Sequence, residues 1–125
     1  MSLKDRVRFL TTADDVDVFL RGCRDSAVFK AGTCHKTQET FGRVQGLLEA
    51  REDLPLGVIR VVEAREASER LAEITGITHE SPQIVLLRHG QPVFERNNWS
   101  ITGEAVAEAL QEFFTPAQSP REVVS

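Results

Sequence analysis

The stretch 26–37, Ser-Ala-Val-Phe-Lys-Ala-Gly-Thr-Cys-His-Lys-Thr, is where the chain passes from a strand pattern to a helical one. Residues 26–30 are typical of a β-strand, and a helical pattern starts near Cys34. Cys34 therefore stands at the N-terminus of a helix, beside His35 and Lys36. Unpaired N–H groups at a helix start and nearby cations favour a thiolate, the nucleophilic form of cysteine. A redox or nucleophilic cysteine is the leading hypothesis. A buried packing cysteine is the alternative, although the polar flanks do not form an apolar pocket.

Strand and helix patterns alternate on both sides of this stretch. The order β-α-β-α-β-α-β-β-α predicts an α/β fold with a central mixed sheet, parallel in its first part. A hairpin at His89-Gly90-Gln91 makes the fourth strand antiparallel. Strand patterns lie at 7–10, 26–30, 58–62, 84–87 and 92–95, and helical patterns follow Thr12, Cys34 and Thr102 and occupy 67–75.

Length, charge and hydropathy restrict the function. The 125 residues fit one domain, expected at 1–114, with a C-terminal tail at 115–125. Fifteen Lys and Arg against 19 Asp and Glu give a net charge of −4, which argues against the basic face that nucleic acid requires. The apolar runs are too short for a membrane span or a signal peptide. We expect a cytoplasmic protein, with no membrane or nucleic-acid partner, whose two cysteines are reduced.

Ser81-Pro82 is a second candidate stretch, because it directly precedes the fourth strand. In the expected sheet this strand starts beside the end of the second strand, near Cys34. We predict a cis proline at Pro82, whose bend leaves the Ser81 backbone available to an extended substrate. The alternative is a proline that begins an edge strand. The hairpin brings Trp99, the only tryptophan, to the same end of the sheet. A core position is its expected role, and a partly exposed ring lining the thiol groove is the alternative.

Three segments resemble the monothiol bacilliredoxin family of thioredoxin-like proteins. They are Cys-His-Lys-Thr at 34–37, Thr-His-Glu-Ser-Pro-Gln at 78–83, and Asn-Trp-Ser-Ile-Thr at 98–102, within a similarity that covers roughly residues 12–110. The resemblance implies a thioredoxin-like fold, a bacterial cytoplasm that uses bacillithiol, and a catalytic thiol at Cys34. The family usually has Pro directly after the active cysteine and Ser at the fourth position, where this chain has His35 and Thr37.

The function implied by this resemblance is a monothiol thiol–disulfide oxidoreductase that removes bacillithiol from protein mixed disulfides through Cys34. Cationic neighbours and a helix start lower a cysteine pKa from about 8.5 into the range of roughly 3.5–7.5, which suits such exchange. Bacillithiol is the expected cosubstrate, with no bound cofactor. The expected partners are bacillithiolated proteins and the low-molecular-weight thiol, and the chain is expected to be a monomer or weak dimer. The residues expected to bind substrate are Thr33, His35, Lys36, Thr37, Ser81, Pro82 and Trp99.

A thioredoxin-fold module that binds a partner peptide without turnover is the alternative. Peroxide reduction needs a second cysteine to resolve a sulfenic acid. A whole strand, about 20 Å long, separates Cys23 from Cys34. This is far more than the Cα separation of under about 7 Å that a disulfide allows. Cys34, His35 and His79 match no closed four-ligand pattern, so we expect no metal site.

Overall fold

The computed structural model describes residues 7–33, 35–51 and 54–114, so Cys34 and the expected tail at 115–125 lie outside the described residues. Strands and helices follow one another in the order expected from the sequence. The strands are β1 (Val7–Phe9), β2 (Asp25–Ala31), β3 (Leu56–Arg60), β4 (Gln83–Arg88) and β5 (Gln91–Asn97). The helices are α1 (Ala13–Gly22), α2 (His35–Ala50), α3 (Arg65–Thr75) and α4 (Gly103–Phe113), with a 3₁₀ turn at Asn98–Ser100.

The five strands form one mixed sheet in the order β1-β3-β2-β4-β5. β3 pairs in parallel with both β1 and β2, whereas β4 is antiparallel to β2 and β5. The parallel first part and the antiparallel fourth strand are therefore confirmed. Because Lys30 lies opposite Gln83, the end of β2 meets the start of β4.

Helices cover both faces of the sheet, because successive side chains of a strand point to opposite sides. Phe29 faces α2 and α4, whereas its neighbour Val28 faces α1 and α3. On the first face the core includes Phe29, Val44, Leu48, Ile84, Val106 and Leu110, and on the second Val16, Phe19, Val28, Ile59, Leu71 and Val85.

Local signals fix where the helices begin and end. Thr12 caps α1 in a capping box with Asp15, whose carboxylate accepts the Thr12 N–H at 3.1 Å. Backbone N–H groups of Thr11 and Thr12 lower the pKa of Asp15, because they stabilise its charged form. Thr102 caps α4 through the Ala105 N–H. Gly76 ends α3 with φ +73°, a conformation that favours glycine.

The third strand is the main correction to the sequence-based boundaries. Its pattern predicts residues 58–62, but β3 ends at Arg60, and Val62 lies in a turn with 66% of its surface exposed. The last pair of the parallel ladder joins Arg60 to Ala31. Beyond Ala31 the chain leaves β2 through Gly32, so no strand remains for Val62 to pair with. Within the three described ranges, no helix is long and apolar enough to cross a membrane.

Replacing Gly57 with alanine should destabilise the fold. A Cβ at this position of β3 would lie 2.8 Å from Leu10 Cδ1 and 3.2 Å from Phe19 Cε2. Such overpacking costs about 1–3 kcal/mol. Gly46→Ala is the matched control, because the exposed Gly46 lies within α2 with nothing within 4 Å of the added carbon, and a helical Gly→Ala change stabilises by about 0.5–1 kcal/mol. Urea unfolding measures the free energy of unfolding of both variants. Equal changes in this free energy would contradict the close packing around Gly57.

Candidate active site

The candidate site lies where β2 ends and α2 begins. The chain leaves β2 at Ala31, passes through Gly32 and Thr33, and enters α2 at His35. The predicted catalytic residue, Cys34, comes directly before that helix in the chain but lies outside the described residues. The neighbours of this position therefore define the site.

Gly32 and Thr37, which lie on either side of position 34 in the chain, contact each other. The Gly32 N–H donates to Thr37 Oγ1 at 3.0 Å, and Thr37 is buried. A Cβ on Gly32 would lie 2.6 Å from Ser81 Oγ, so only a residue without a side chain allows this approach. Thr37 therefore holds Gly32, and Gly32 lies directly against Ser81.

Ser81 and Pro82 lie at the start of β4, as the sequence predicts. The peptide bond between them is cis, and the Pro82 side chain is buried. The Pro82 carbonyl accepts the backbone N–H of Asn98 at 2.9 Å. This hydrogen bond joins the loop before β4 to the 3₁₀ turn after β5, and so to Trp99.

The expected core position of Trp99 is wrong, and the ring is partly exposed, as the alternative expected. Its surface is 49% exposed. Lys36 Nζ lies 5.7 Å from the ring centroid and the Arg43 guanidinium carbon 5.3 Å from it, distances at which cations are attracted to an aromatic face. Lys36 Nζ also donates to Asn98 Oδ1 at 3.3 Å. Trp99 is therefore an exposed ring beside two cations, one of which follows position 34 by two residues.

The two adjacent basic residues of the motif point in different directions. His35 is exposed, and its Nε2 lies 3.5 Å from the Glu39 carboxylate one turn along α2. Lys36 lies instead beside Asn98 and Trp99. Thr33, directly before position 34 in the chain, is exposed. Of the two, Lys36 is the residue that contributes positive charge on the Trp99 side.

A buried lysine beneath the loop before β4 was missed by the sequence reasoning. Lys30 is fully buried, and its Nζ donates to the Ser68 carbonyl at 3.1 Å and lies 3.3 Å from His79 Nδ1. Ser68 Oγ is 2.9 Å from the same nitrogen. Burial lowers the pKa of Lys30 from 10.5 to about 8, because the charged form loses its hydration.

The pKa of His79 is also lowered, first by burial and then by the positive charge of Lys30, whereas Glu80 opposes the shift. The sequence did carry a signal for this cluster. Lys30 is a charged residue at the end of an otherwise apolar run, and the strand pattern of residues 26–30 assigns it no further role.

Comparison with known proteins identifies the family. The family model for monothiol bacilliredoxin BrxC matches residues 8–106. The chain belongs to the monothiol bacilliredoxin family. Cys34 and the Ser81-Pro82 stretch both lie within the matched segment.

Solved structures show the fold of this bacilliredoxin. A protein described as having a thioredoxin fold is 23% identical, with 86% of this chain and 96% of that chain covered and a TM-score of 0.77. Fasciola hepatica thioredoxin is 17% identical, with 84% and 97% covered and a TM-score of 0.69. Oxidized mitochondrial thioredoxin 3 from Saccharomyces cerevisiae is 16% identical, with 90% and 100% covered and a TM-score of 0.71. The thioredoxin fold is therefore confirmed, and family and fold together support a thiol oxidoreductase role.

Lys30 should make folding stability rise with pH above about pH 8. The buried amine releases its proton near pH 8, whereas a lysine in the unfolded chain keeps its proton up to about pH 10.4. Between these values the unfolded state binds the extra proton, so raising the pH favours the folded state, by at most about 1.4 kcal/mol per pH unit.

Urea unfolding of the wild type and Lys30→Met across this pH range measures the contribution. We expect the wild type to gain stability relative to Lys30→Met as the pH rises, because methionine does not titrate. If the free energies of unfolding of the two proteins change in parallel with pH, the pKa of Lys30 is not lowered in the folded state.

Proposed function

We propose that this bacilliredoxin is a monothiol oxidoreductase that removes bacillithiol from protein mixed disulfides through Cys34. The observation that supports this most is the close approach of Gly32, two residues before Cys34 in the chain, to the Ser81 side chain. A substrate disulfide that reaches the cysteine would therefore also meet the backbone of Ser81 and Pro82. Family membership and the thioredoxin fold support the same chemistry at a coarser level.

The exchange takes two steps. The Cys34 thiolate attacks the bacillithiol sulfur of the mixed disulfide, the S–S bond breaks, and the target cysteine leaves as a thiolate that takes a proton from water. Cys34 then carries bacillithiol. A second bacillithiol, as its thiolate, attacks the bacillithiol sulfur of this adduct, which releases the bacillithiol disulfide and restores the Cys34 thiolate. The second bacillithiol supplies the electrons, so no bound cofactor is required.

The absence of a cysteine at position 37 supports a single-thiol cycle. Thr37 uses its hydroxyl oxygen to hold the Gly32 N–H, and it cannot close a disulfide. Cys23 lies at the end of α1, two residues before the start of β2, whereas Cys34 follows the end of that strand in the chain. Burial raises the pKa of Cys23, which disfavours its nucleophilic form. The second thiol of the cycle is therefore proposed to come from solution.

Charges near Trp99 support an anionic thiol as the cosubstrate. Lys36 and Arg43 both lie close to the exposed ring, and bacillithiol is a thiol that carries carboxylates. Thr33, Thr37, Ser81 and Pro82 are proposed to contact the disulfide and the target peptide on the other side. His35 lies beside Glu39, so it is not proposed to contact the disulfide directly.

Replacing Cys34 with serine should abolish reduction of a bacillithiolated protein. A serine hydroxyl stays protonated near neutral pH and forms no disulfide, so the first step cannot occur. Cys23→Ser is the matched control, and its rate should stay within about twofold of the wild type, because it removes only a thiol that burial keeps protonated. Release of free bacillithiol disulfide and of the target thiol measures turnover.

The same experiment separates the enzyme from the binding module. Equal reduction by wild type and Cys34→Ser would overturn the assignment of Cys34. Retention of the bacillithiolated protein by the wild type without any reduction would instead support a module that binds a partner without turnover.

A further inference from the structure

The loop of residues 77–82 carries Ser81 to the site and contains neither helix nor strand. Two buried polar side chains hold it from below. Lys30 Nζ lies 3.3 Å from His79 Nδ1, and Gln83 Nε2 donates to the Thr78 carbonyl at 3.1 Å. Lys30 and Gln83 lie directly opposite each other in β2 and β4, so their side chains leave the same face of the sheet.

Burying the charged side chain of Lys30 at this position costs folding free energy. It has 0% exposure, and its described partners are a carbonyl and an imidazole rather than a carboxylate. Within residues 7–33, 35–51 and 54–114, no ion pair to Lys30 is present. A buried charge without a carboxylate costs folding free energy, and an apolar residue would suit a site that served packing alone. The position of Lys30 therefore points to a role beyond packing.

Charge determines how His79 is held. An ammonium group can only donate hydrogen bonds, so His79 Nδ1 must keep its lone pair while Lys30 is charged. The imidazole is then neutral with its proton on Nε2. The lowered pKa of His79, caused by burial and by Lys30, agrees with this state. Ser68 faces the same nitrogen, and Glu80 is the acidic neighbour that favours protonation of His79.

The His79 contact is close to the groups proposed to meet the substrate. Ser81 is two residues further along the chain, and its Oγ lies against Gly32. Glu80 Oε1 accepts from Asn98 Nδ2 at 3.4 Å, and Asn98 in turn accepts from Lys36. A shift of His79 would therefore move both Ser81 and the residues beside Trp99.

We propose that Lys30 is a positioning residue for the exchange: its buried ammonium holds His79 and thereby fixes the loop of residues 77–82 that presents Ser81 to the substrate disulfide. This role rests on the proposed function for its substrate. It acts through His79, and it does not require Lys30 to touch the reacting sulfurs.

Four variants test the role. Lys30→Met and His79→Leu remove the contact, His79→Asn keeps an acceptor oxygen close to the position of Nδ1, and Ser68→Ala removes only the hydroxyl while keeping the carbonyl bonded to Lys30. The measured quantities are kcat/KM for a bacillithiolated protein, the rate at which iodoacetamide alkylates Cys34, and the pKa of His79 by NMR titration. Iodoacetamide is small and does not need the loop, so it reports on the thiol alone.

We expect Lys30→Met and His79→Leu to lower kcat/KM by about tenfold or more, since small misplacements in a site cost up to about 100-fold. Alkylation should stay within about twofold of the wild type. The kcat/KM of His79→Asn should lie within about threefold of the wild-type value, because the acceptor is kept. The kcat/KM of Ser68→Ala should also lie within about threefold of the wild type. In Lys30→Met the pKa of His79 should rise toward its ordinary value, because the repelling charge is gone.

Three results would overturn the positioning role. The first is an unchanged kcat/KM in both Lys30→Met and His79→Leu, and the second is a fall in the alkylation rate as large as the fall in kcat/KM. The third is a kcat/KM of His79→Asn that is as low as that of His79→Leu. If Lys30→Met does not fold, the comparison of His79→Leu with His79→Asn decides.

A peptide mixed disulfide with glutathione separates this proposal from the proposed function. A wild type active on that peptide but not on the bacillithiolated protein rejects only the bacillithiol assignment, and the variants are then compared on the peptide. Inactivity on both substrates rejects both proposals.

Discussion

The antiparallel pairing of β2 with β4 is the constraint on which the site depends. Six residue pairs join the two strands, from Asp25 opposite Arg88 to Lys30 opposite Gln83. Because β2 runs toward the cysteine and β4 runs away from Ser81-Pro82, this pairing brings two segments nearly 50 residues apart to one end of the sheet. A shift of one residue in the register would turn Ile84 away from Phe29 and toward the face that carries Val28. The hydrophobic layers that stabilise the fold therefore also fix the geometry of the site.

Much of the fold could be predicted because its signals are local. Thr12 and Thr102 cap helices, Gly76 ends one, and the alternation of strands and helices sets which strands are parallel. The end of β3 could not be predicted in this way. Val61 and Val62 have strong strand propensity, but a strand continues only where a partner continues, and the partner β2 ends at Ala31.

The site was predicted in part, for a similar reason. The Ser81-Pro82 stretch could be placed beside the end of β2 from the order of the strands. The exposure of Trp99 depends on where the 3₁₀ turn lies against α2, and the partners of Lys30 come from α3 and from the following loop. Such contacts between distant segments leave no periodic pattern in the sequence. The strongest available signal was a charged residue inside an apolar strand.

The most direct test of a single-thiol exchanger is the mass of the product of the first step. Cys23→Ser protein is mixed with a bacillithiolated protein in the absence of free bacillithiol, and acid-quenched samples are examined by intact-mass and peptide mass spectrometry. We expect one bacillithiol on the peptide that contains Cys34, in an amount equal to the target thiol released. An unmodified Cys34, or a disulfide between Cys34 and the target protein, would contradict attack on the bacillithiol sulfur.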